Sequence, residues 1–525
     1  MMSLDIRKIS DGYQEYLRDE SRSIGNADTI SFPKSHKEVI NIVKNMSNQN
    51  IPITIQGSRT GLAAGSVPYG GHVINLSKMD KVISMRKDEN DVFFLNVQSG
   101  LVLSQLKDNI KNKKFNISEW DEESIKAYQT FIQSHEMFFS PDPTETSASI
   151  GGMVACNASG ARSYLYGPTR KYIEKLKIVL SNGESLSLKR NQVFSKGRIL
   201  ELITDNGNKL FIQLPDYIMP KTKNASGFYI EDNMDVVDLF IGSDGSLGIV
   251  TEVEIRLLKL PKIIWGVTCF LSNSENVVAY VDSIRRDLKL ISSVEYFDES
   301  ALNILRDQKN NNPAFKRLPR INDKAQTAIY LEIHANDEED AMKELFKIQG
   351  LIDKINEDPS STWVARNDFD KDKLYFFRHA IPESVNMLID QKKKTYPLIT
   401  KLGTDMSVPD DELKTVMDMY ISMLKENNLQ SAIWGHIGDN HLHVNILPNN
   451  EEEYLLGKKL YEQWAREVTK LGGAVSAEHG IGKIKAEMLR IMYGDHNINQ
   501  MKKLKLQLDK QGLLGIDNLF NMREV

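Results

Sequence analysis

Ile51-Pro-Ile-Thr-Ile-Gln-Gly-Ser-Arg-Thr-Gly-Leu-Ala-Ala-Gly65 runs an apolar, strand-like segment straight into a glycine-rich turn. Glycines let the backbone turn sharply and leave consecutive N–H groups free to face anionic oxygens, so the shape suits a phosphate. No Gly-Lys-Ser/Thr follows, as a P-loop requires, and the spacing departs from the Rossmann G-x-G-x-x-G. Taken alone, the stretch reads equally well as a tight turn between strand and helix. A second stretch shifts that balance: Ile150-Gly-Gly-Met-Val-Ala-Cys-Asn-Ala-Ser-Gly160, reached through Pro141-Asp-Pro-Thr-Glu-Thr146. Two such loops suit a large ligand whose phosphate and ring edges are approached by backbone from more than one side.

Outward from these loops the pattern is strand–helix alternation. Residues 38–46 have helical spacing, with apolar side chains at 39, 40, 43 and 46. Strands are expected at 73–76, 93–97, 176–180 and 249–257. From about 263 to 430 glycine thins out and the alternation becomes more regular. Strands there are expected at 265–271, 294–297, 327–334, 363–366 and 406–408, and helices at 275–288, 338–355 and 411–425. Amphipathic helices are expected at 452–471 and 483–492, and the polar stretches 112–135 and 187–235 read as surface insertions.

The chain has 525 residues, enough for two or three domains with sizeable cores. A hydrophobic fraction of 41% and a charged fraction of 26% are ordinary for a soluble globular protein. A net charge near −5 gives no basic footprint for nucleic acid. No run reaches the length of a membrane span, and Met-Met-Ser-Leu-Asp-Ile-Arg-Lys lacks the apolar core of a signal peptide. A cytoplasmic protein is the expectation. Cys156 and Cys269 are too few for a disulfide framework or a cysteine zinc site, and both read as buried small hydrophobes.

Histidine is scarce, ten in the chain, yet four fall in Trp434-Gly-His-Ile-Gly-Asp-Asn-His-Leu-His-Val-Asn445 and Ser476-Ala-Glu-His-Gly-Ile-Gly-Lys483. His436, His441, His443 and Glu478 are ligand types that suit Zn²⁺, Mn²⁺ or Fe²⁺. Along a strand, His441, His443 and Asn445 alternate onto one face.

Ile55–Leu62, Pro141-Asp-Pro143, Ile150–Gly160 and Phe240-Ile-Gly-Ser-Asp-Gly-Ser-Leu-Gly-Ile249, in that order, resemble the FAD domain of the vanillyl-alcohol oxidase / p-cresol methylhydroxylase flavoproteins. The two histidine segments resemble the branch holding D-lactate dehydrogenase, the glycolate oxidase D-subunit and D-2-hydroxyglutarate dehydrogenase. The resemblance covers the chain from about residue 28 onward. It implies an α+β protein with a two-subdomain FAD-binding fold of the p-cresol methylhydroxylase type over 1–262. An α/β substrate (cap) domain with its own sheet follows over 263–430, and a C-terminal segment, 431–525, carries metal and catalytic residues and packs back on the FAD domain.

The same resemblance implies that Gly57, Ser58, Arg59, Thr60 and Gly61 bind the FAD pyrophosphate. Pro141, Thr146, Gly151, Gly152, Asn157 and Gly160 would line the flavin, with Gly248 and Ile249 near the adenine-ribose part. Relatives that attach FAD covalently use a histidine in the first loop; residues 57–66 contain none, so FAD is expected to be non-covalent. The implied metal ligands are His436, His443 and Glu478, with His479 as base and Asn445 on the substrate. The family usually reads His-x-Gly-Asp-Gly-Asn-Leu-His, whereas Asn440-His441 stands here. His441 is left outside the ligand set, as an extra ligand, a supporting group or a turn filler.

Such a site suits a 2-hydroxy acid. Its α-hydroxyl must lose a proton, which a histidine can accept near neutral pH, while a chelated divalent metal stabilises the alkoxide and flavin takes the hydride. Arg378 stands where the family carries an arginine for the substrate carboxylate, with a surface salt bridge as the alternative; Lys401 and Thr404 are weaker candidates. The expected activity is D-lactate oxidation, with D-2-hydroxyglutarate or glycolate oxidation, or a flavin-binding electron-transfer subunit of a larger complex, as alternatives. Electrons would leave to an external cytochrome, quinone or electron-transfer flavoprotein. A peripheral position at a membrane and a homodimer are both compatible with the sequence.

Overall fold

The computed structural model describes residues 5–522. The first four residues of the N-terminal stretch read above lie outside the described residues.

Three sheets organise the chain. In the first, Thr29–Ser31, His72–Asn75 and Ile53–Gln56 run parallel, with Ile6–Lys8 added antiparallel at one edge. The helix His36–Asn48 covers it, burying Val39, Ile42, Val43 and Met46 at helical spacing. Its start is fixed by Ser35, whose side chain accepts a hydrogen bond from the Glu38 N–H. The second sheet is antiparallel, in the order Val82–Lys87, Phe93–Gln98, Ile249–Arg256, Ile173–Val179, Ser185–Lys189.

The third sheet has eight strands. Trp363–Ala365, Ile263–Leu271, Thr327–Ala335, Ile291–Phe297, Ser431–His436, His441–Ile446 and Leu402–Gly403 lie in that order, and Met406–Ser407 also pairs with His441–Ile446. Thr327–Ala335 is buried along its whole length, as a central strand covered on both faces requires. The helix Asp368–Lys393 lies against this sheet and carries Arg378; Leu374, Phe377, Ala380, Ile381 and Val385 form its buried stripe. The sheet runs across residue 430, so the histidine hairpin belongs to the same sheet as the preceding substrate-domain strands.

Both stretches read as surface insertions do more than cover the surface. Residues 112–135 contain the helix Glu122–Gln133, whose Phe131 is fully buried and meets Phe93 edge-on at 5.2 Å between centroids. Residues 187–235 contain the hairpin Ile199–Ile203/Lys209–Gln213 and then a buried passage holding Tyr217, Phe228 and Ile230. Polar composition hid these elements because only every third or fourth residue of the helix, and alternate residues of the strands, face the core. The expected 483–492 helix begins later and runs further, as Ala486–Leu508, with a kink at Gly494.

Candidate active site

A cavity lies between the glycine-rich loops. Of the residues assigned to FAD from the sequence, Gly57, Ser58, Arg59, Thr60, Gly61, Gly151, Gly152 and Gly248 line it. Its wall also includes Thr144, Ser149, Cys156, Ser159 and Asp244, which the sequence reading had not assigned. Gly57 is glycine because the loops touch: a Cβ there would stand 2.0 Å from the Ser149 Oγ. That oxygen accepts the Gly152 N–H and so caps the helix Ile150–Ala155.

The remaining FAD candidates sit elsewhere. Pro141 is buried and Thr146 exposed, neither on the cavity wall. The Asn157 side chain accepts the Arg170 N–H. Gly160 packs so tightly on Asp142 that a Cβ would meet the Asp142 carbonyl oxygen at 1.9 Å. Ile249 is fully buried in the hydrophobic core beneath the first sheet. Cys269 is buried as expected, whereas Cys156 is only half-buried and lines the cavity, its thiol pushed up to about 12 by burial.

Glu478 and His479 belong to this wall; Glu478 is also part of the histidine cluster, and the His479 ring stacks on that of His443 at 5.7 Å between centroids. Strands Ser431–His436 and His441–Ile446 form a hairpin whose pairing sets His436 opposite His441 and Trp434 opposite His443. Directly paired residues project to the same face, so the pleat gathers the three imidazoles. Gly435, at φ +136°, is required between them: a Cβ would come within 3.1 Å of the His443 Cδ2 and 2.9 Å of the His441 carbonyl oxygen. Glu478 completes the group, with one ligand atom from each of His436, His441, His443 and Glu478 all within 4.8 Å of one another.

The hydrogen bonds orient this set. The Glu478 Oε2 accepts from the Lys223 Nζ at 2.9 Å and the Ser159 Oγ at 3.1 Å. That leaves Oε1 toward the Nε2 atoms of His436 at 3.3 Å, His479 at 3.6 Å and His443 at 3.9 Å. His436 Nδ1 is 2.7 Å from the Glu295 Oε1, and His443 Nδ1 donates to the Thr404 carbonyl at 2.9 Å. Each of these two rings is therefore anchored through Nδ1, leaving Nε2 for a ligand role. Imidazoles and a carboxylate suit a borderline divalent cation, and the buried His441 Nδ1, which has no hydrogen-bond partner, fits a site built for one.

Asp405, buried at 1% exposure, is the hub the sequence reading passed over. It accepts from the Lys485 Nζ at 2.6 Å, the Ser476 Oγ at 2.6 Å and the His479 N–H at 3.1 Å. Its Oδ2 is also 3.3 Å from the His479 Nδ1. Burial opposes the Asp405 charge, but His479 and Lys485 outweigh it and hold the carboxyl well below its usual range. Burial opposes the Glu478 charge too, and Lys223 and His436 keep that carboxyl ionised. Burial likewise works against a charged His436, yet Glu295 pushes this imidazole up to about 9. Burial lowers His443 and His479.

The substrate candidates divide. Asn445 Oδ1 is buried without a partner, beside Gly403. Arg378 is largely buried, its Nε 3.5 Å from the Glu295 Oε2, which places it beside the cluster and not on the surface. Lys401 is exposed, its Nζ 5.7 Å from the Trp434 ring centroid. The Thr404 hydroxyl donates to the Leu442 carbonyl and accepts the Val444 N–H, so its side chain is committed to the sheet. Lys223 and Glu295 have no sequence signal of their own: each is a lone charge far from the histidines in the chain, brought in by folding. Lys485 stands six residues after His479, just past the second histidine segment.

The family description "FAD linked oxidases, C-terminal domain" matches residues 261–516, and "FAD binding domain" matches 27–121 and 123–189. The chain is an FAD-linked oxidoreductase of this family. Among curated proteins it is 24% identical to a D-lactate dehydrogenase of Anaerostipes hadrus, over 95% of this chain and 91% of that one. It is also 24% identical to a D-2-hydroxyglutarate dehydrogenase of Stutzerimonas stutzeri, over 97% of this chain and 95% of that one. The solved 4-ethylphenol oxidase of Gulosibacter chungangensis shares the fold, with a TM-score of 0.64 at 14% identity, covering 99% of this chain and 95% of that one. The two-part oxidoreductase fold expected from the sequence is thus the one found. Among the described residues no helix is long and apolar enough to cross a membrane.

Proposed function

We propose that this oxidoreductase oxidises a small D-2-hydroxy acid, D-lactate first, to the 2-oxo acid, using non-covalent FAD and a divalent cation. One observation carries the reading: Glu478 and His479 stand on the wall of the cofactor cavity while Glu478 belongs to the histidine cluster and His479 stacks on its His443. A substrate there would touch redox cofactor, cation and base together. The names of the Anaerostipes and Stutzerimonas relatives support a D-2-hydroxy acid, and allow D-2-hydroxyglutarate beside D-lactate.

When bound, FAD supplies the hydride acceptor and the cation supplies a positive charge for the developing alkoxide. The chain's own residues do the rest. His436, His443 and Glu478 would hold the cation, Glu478 through Oε1 because Lys223 and Ser159 hold Oε2. His479 takes the hydroxyl proton at Nε2; Asp405 beside Nδ1 fixes the tautomer that leaves Nε2 unprotonated. Arg378 supplies a guanidinium for the substrate carboxylate, and Asn445 Oδ1 a free acceptor. Reduced flavin then passes its electrons to an external cytochrome, quinone or electron-transfer flavoprotein.

The test is anaerobic mixing of purified yellow protein with a panel of D- and L-2-hydroxy acids, read by flavin absorbance. D-lactate is expected to bleach the flavin and L-lactate is not. Bleaching by D-2-hydroxyglutarate or glycolate alone moves the substrate assignment. No bleaching by any member ends the dehydrogenase reading and leaves that of an electron-transfer subunit.

A further inference from the structure

His441 is the one histidine of the cluster to which the reaction above gives no task. It is fully buried. It sits directly across the hairpin from His436 and two residues before His443, so strand geometry turns its ring toward both. Ring centroids are 5.3 Å from His436 and 4.5 Å from His443. Its Nδ1 has no hydrogen-bond partner. The Asp405 Oδ1 is 2.9 Å from the His441 Nε2, while Lys485, Ser476 and the His479 N–H engage the other carboxylate oxygen, Oδ2.

A turn-filling role does not account for this placement. The turn is made by Ile437–Asp439 and by Asn440 at φ +51°, whose side chain donates to Asp410; His441 is already in the strand. An imidazole sealed from water with one nitrogen unpaired, as Nδ1 is here, is destabilising unless something binds it. What stands within reach is the ligand set itself, since a His441 ring nitrogen is one of the four donor atoms that lie within 4.8 Å of one another. The pattern of its neighbours repeats: His436 and His443 each have one nitrogen against an oxygen and one turned to the group. His441, with Nε2 beside Asp405, leaves Nδ1.

We propose that His441 is a fourth protein ligand of the cation held by His436, His443 and Glu478. The inference rests on the metal-dependent reading above and deepens it. Four protein donors would fill a tetrahedral ion and exclude a chelating substrate. A bound ion would then need a coordination number above four to take the substrate as well, which would favour Fe²⁺, Co²⁺ or Mn²⁺ over a closed zinc site.

The test uses the flavin-loaded full chain, stripped with a chelator and reloaded with one equivalent of Co²⁺. X-ray absorption at the cobalt edge counts imidazole ligands, and three are expected in the wild type. His441→Asn, which restores the residue common in the family, should lower the count to two. It should also weaken Co²⁺ binding by roughly 10- to 100-fold in calorimetric titration, with the flavin-to-protein ratio unchanged. A wild-type count of two imidazoles overturns the assignment of His441 while leaving the metal site standing. Failure of wild-type protein to bind Co²⁺ at all overturns the metal reading and this inference with it. The wild-type count decides the matter even if the variant does not fold.

Discussion

The cofactor cavity and the histidine cluster meet at Glu478 and His479 yet are built on opposite principles. The cavity's glycine-rich loops present backbone, and where they touch, as at Gly57 and Ser149, there is no room for a Cβ. The cluster is made of side chains: three imidazoles and a carboxylate, with Lys223, Lys485, Glu295 and Asp405 around them, all largely buried. A backbone-built site tolerates changes of exposed side chain and fails on added bulk. A side-chain-built site fails on the loss of a single charge, because the partner is left buried and unpaired.

The comparison breaks first at Gly57. Gly57→Val places a branched side chain on the Ser149 cap, and the purified protein is expected to be colourless while still unfolding cooperatively. Retention of flavin would show that side chains, not backbone, define that wall. Glu478→Ala should keep its flavin and lose several kcal/mol of alkoxide stabilisation, about 10³-fold in turnover. Loss of FAD from this variant would mean that the two sites are one.

His479→Gln removes the base and should lower kcat by roughly 10²- to 10⁴-fold with metal content unchanged. The wild-type acid limb tests the same residue. Burial lowers the His479 imidazole from its usual 6.5, and only the neutral form accepts a proton. The fall in kcat/KM on acidification should therefore begin below pH 6.5 and vanish in the glutamine variant. Lys223→Met frees the Glu478 Oε2 and is expected to weaken metal binding by roughly 10- to 100-fold, the usual cost of losing an outer partner of a ligand. Ser58→Ala should do least, within about twofold in flavin retention, as expected for a side chain on a loop that binds through its backbone.

The same contrast decides what was legible in the sequence. Gly57–Gly61 and Gly151-Gly152 announce themselves because backbone sites need glycine at fixed local spacing. His436, His443, Glu478 and His479 were legible because histidine is rare and these lie close in the chain. Sheet order, by contrast, is non-local: nothing in the sequence says that Ile291–Phe297 lies beside Ser431–His436, yet this pairing delivers Glu295 to His436. Lys223 was hidden in a stretch that reads as polar surface, and Asp405 in the short break between the strands Leu402–Gly403 and Met406–Ser407. Asn157, Gly160 and Ile249 lie within the motif stretches but off the cavity wall, a distinction that motif matching alone does not make.

The Gly480–Gly482 turn after Glu478 and His479 has a consequence for how the protein comes into being. The backbone N–H groups of Ile481 and Gly482 donate to Asp244, and Lys483 donates to the Ala63 carbonyl of the first loop. Beyond it, Leu514 pairs with Ile53, and Asn518 donates to the Gly65 and Asp244 carbonyls. The wall of the flavin site is thus closed by chain made hundreds of residues after its first loop. During synthesis the N-terminal half must wait, its cofactor cleft open along one side, until residues 476–520 have emerged. Flavin capture is then a late event, and a protein that holds FAD firmly is one in which Glu478 and His479 are already in place.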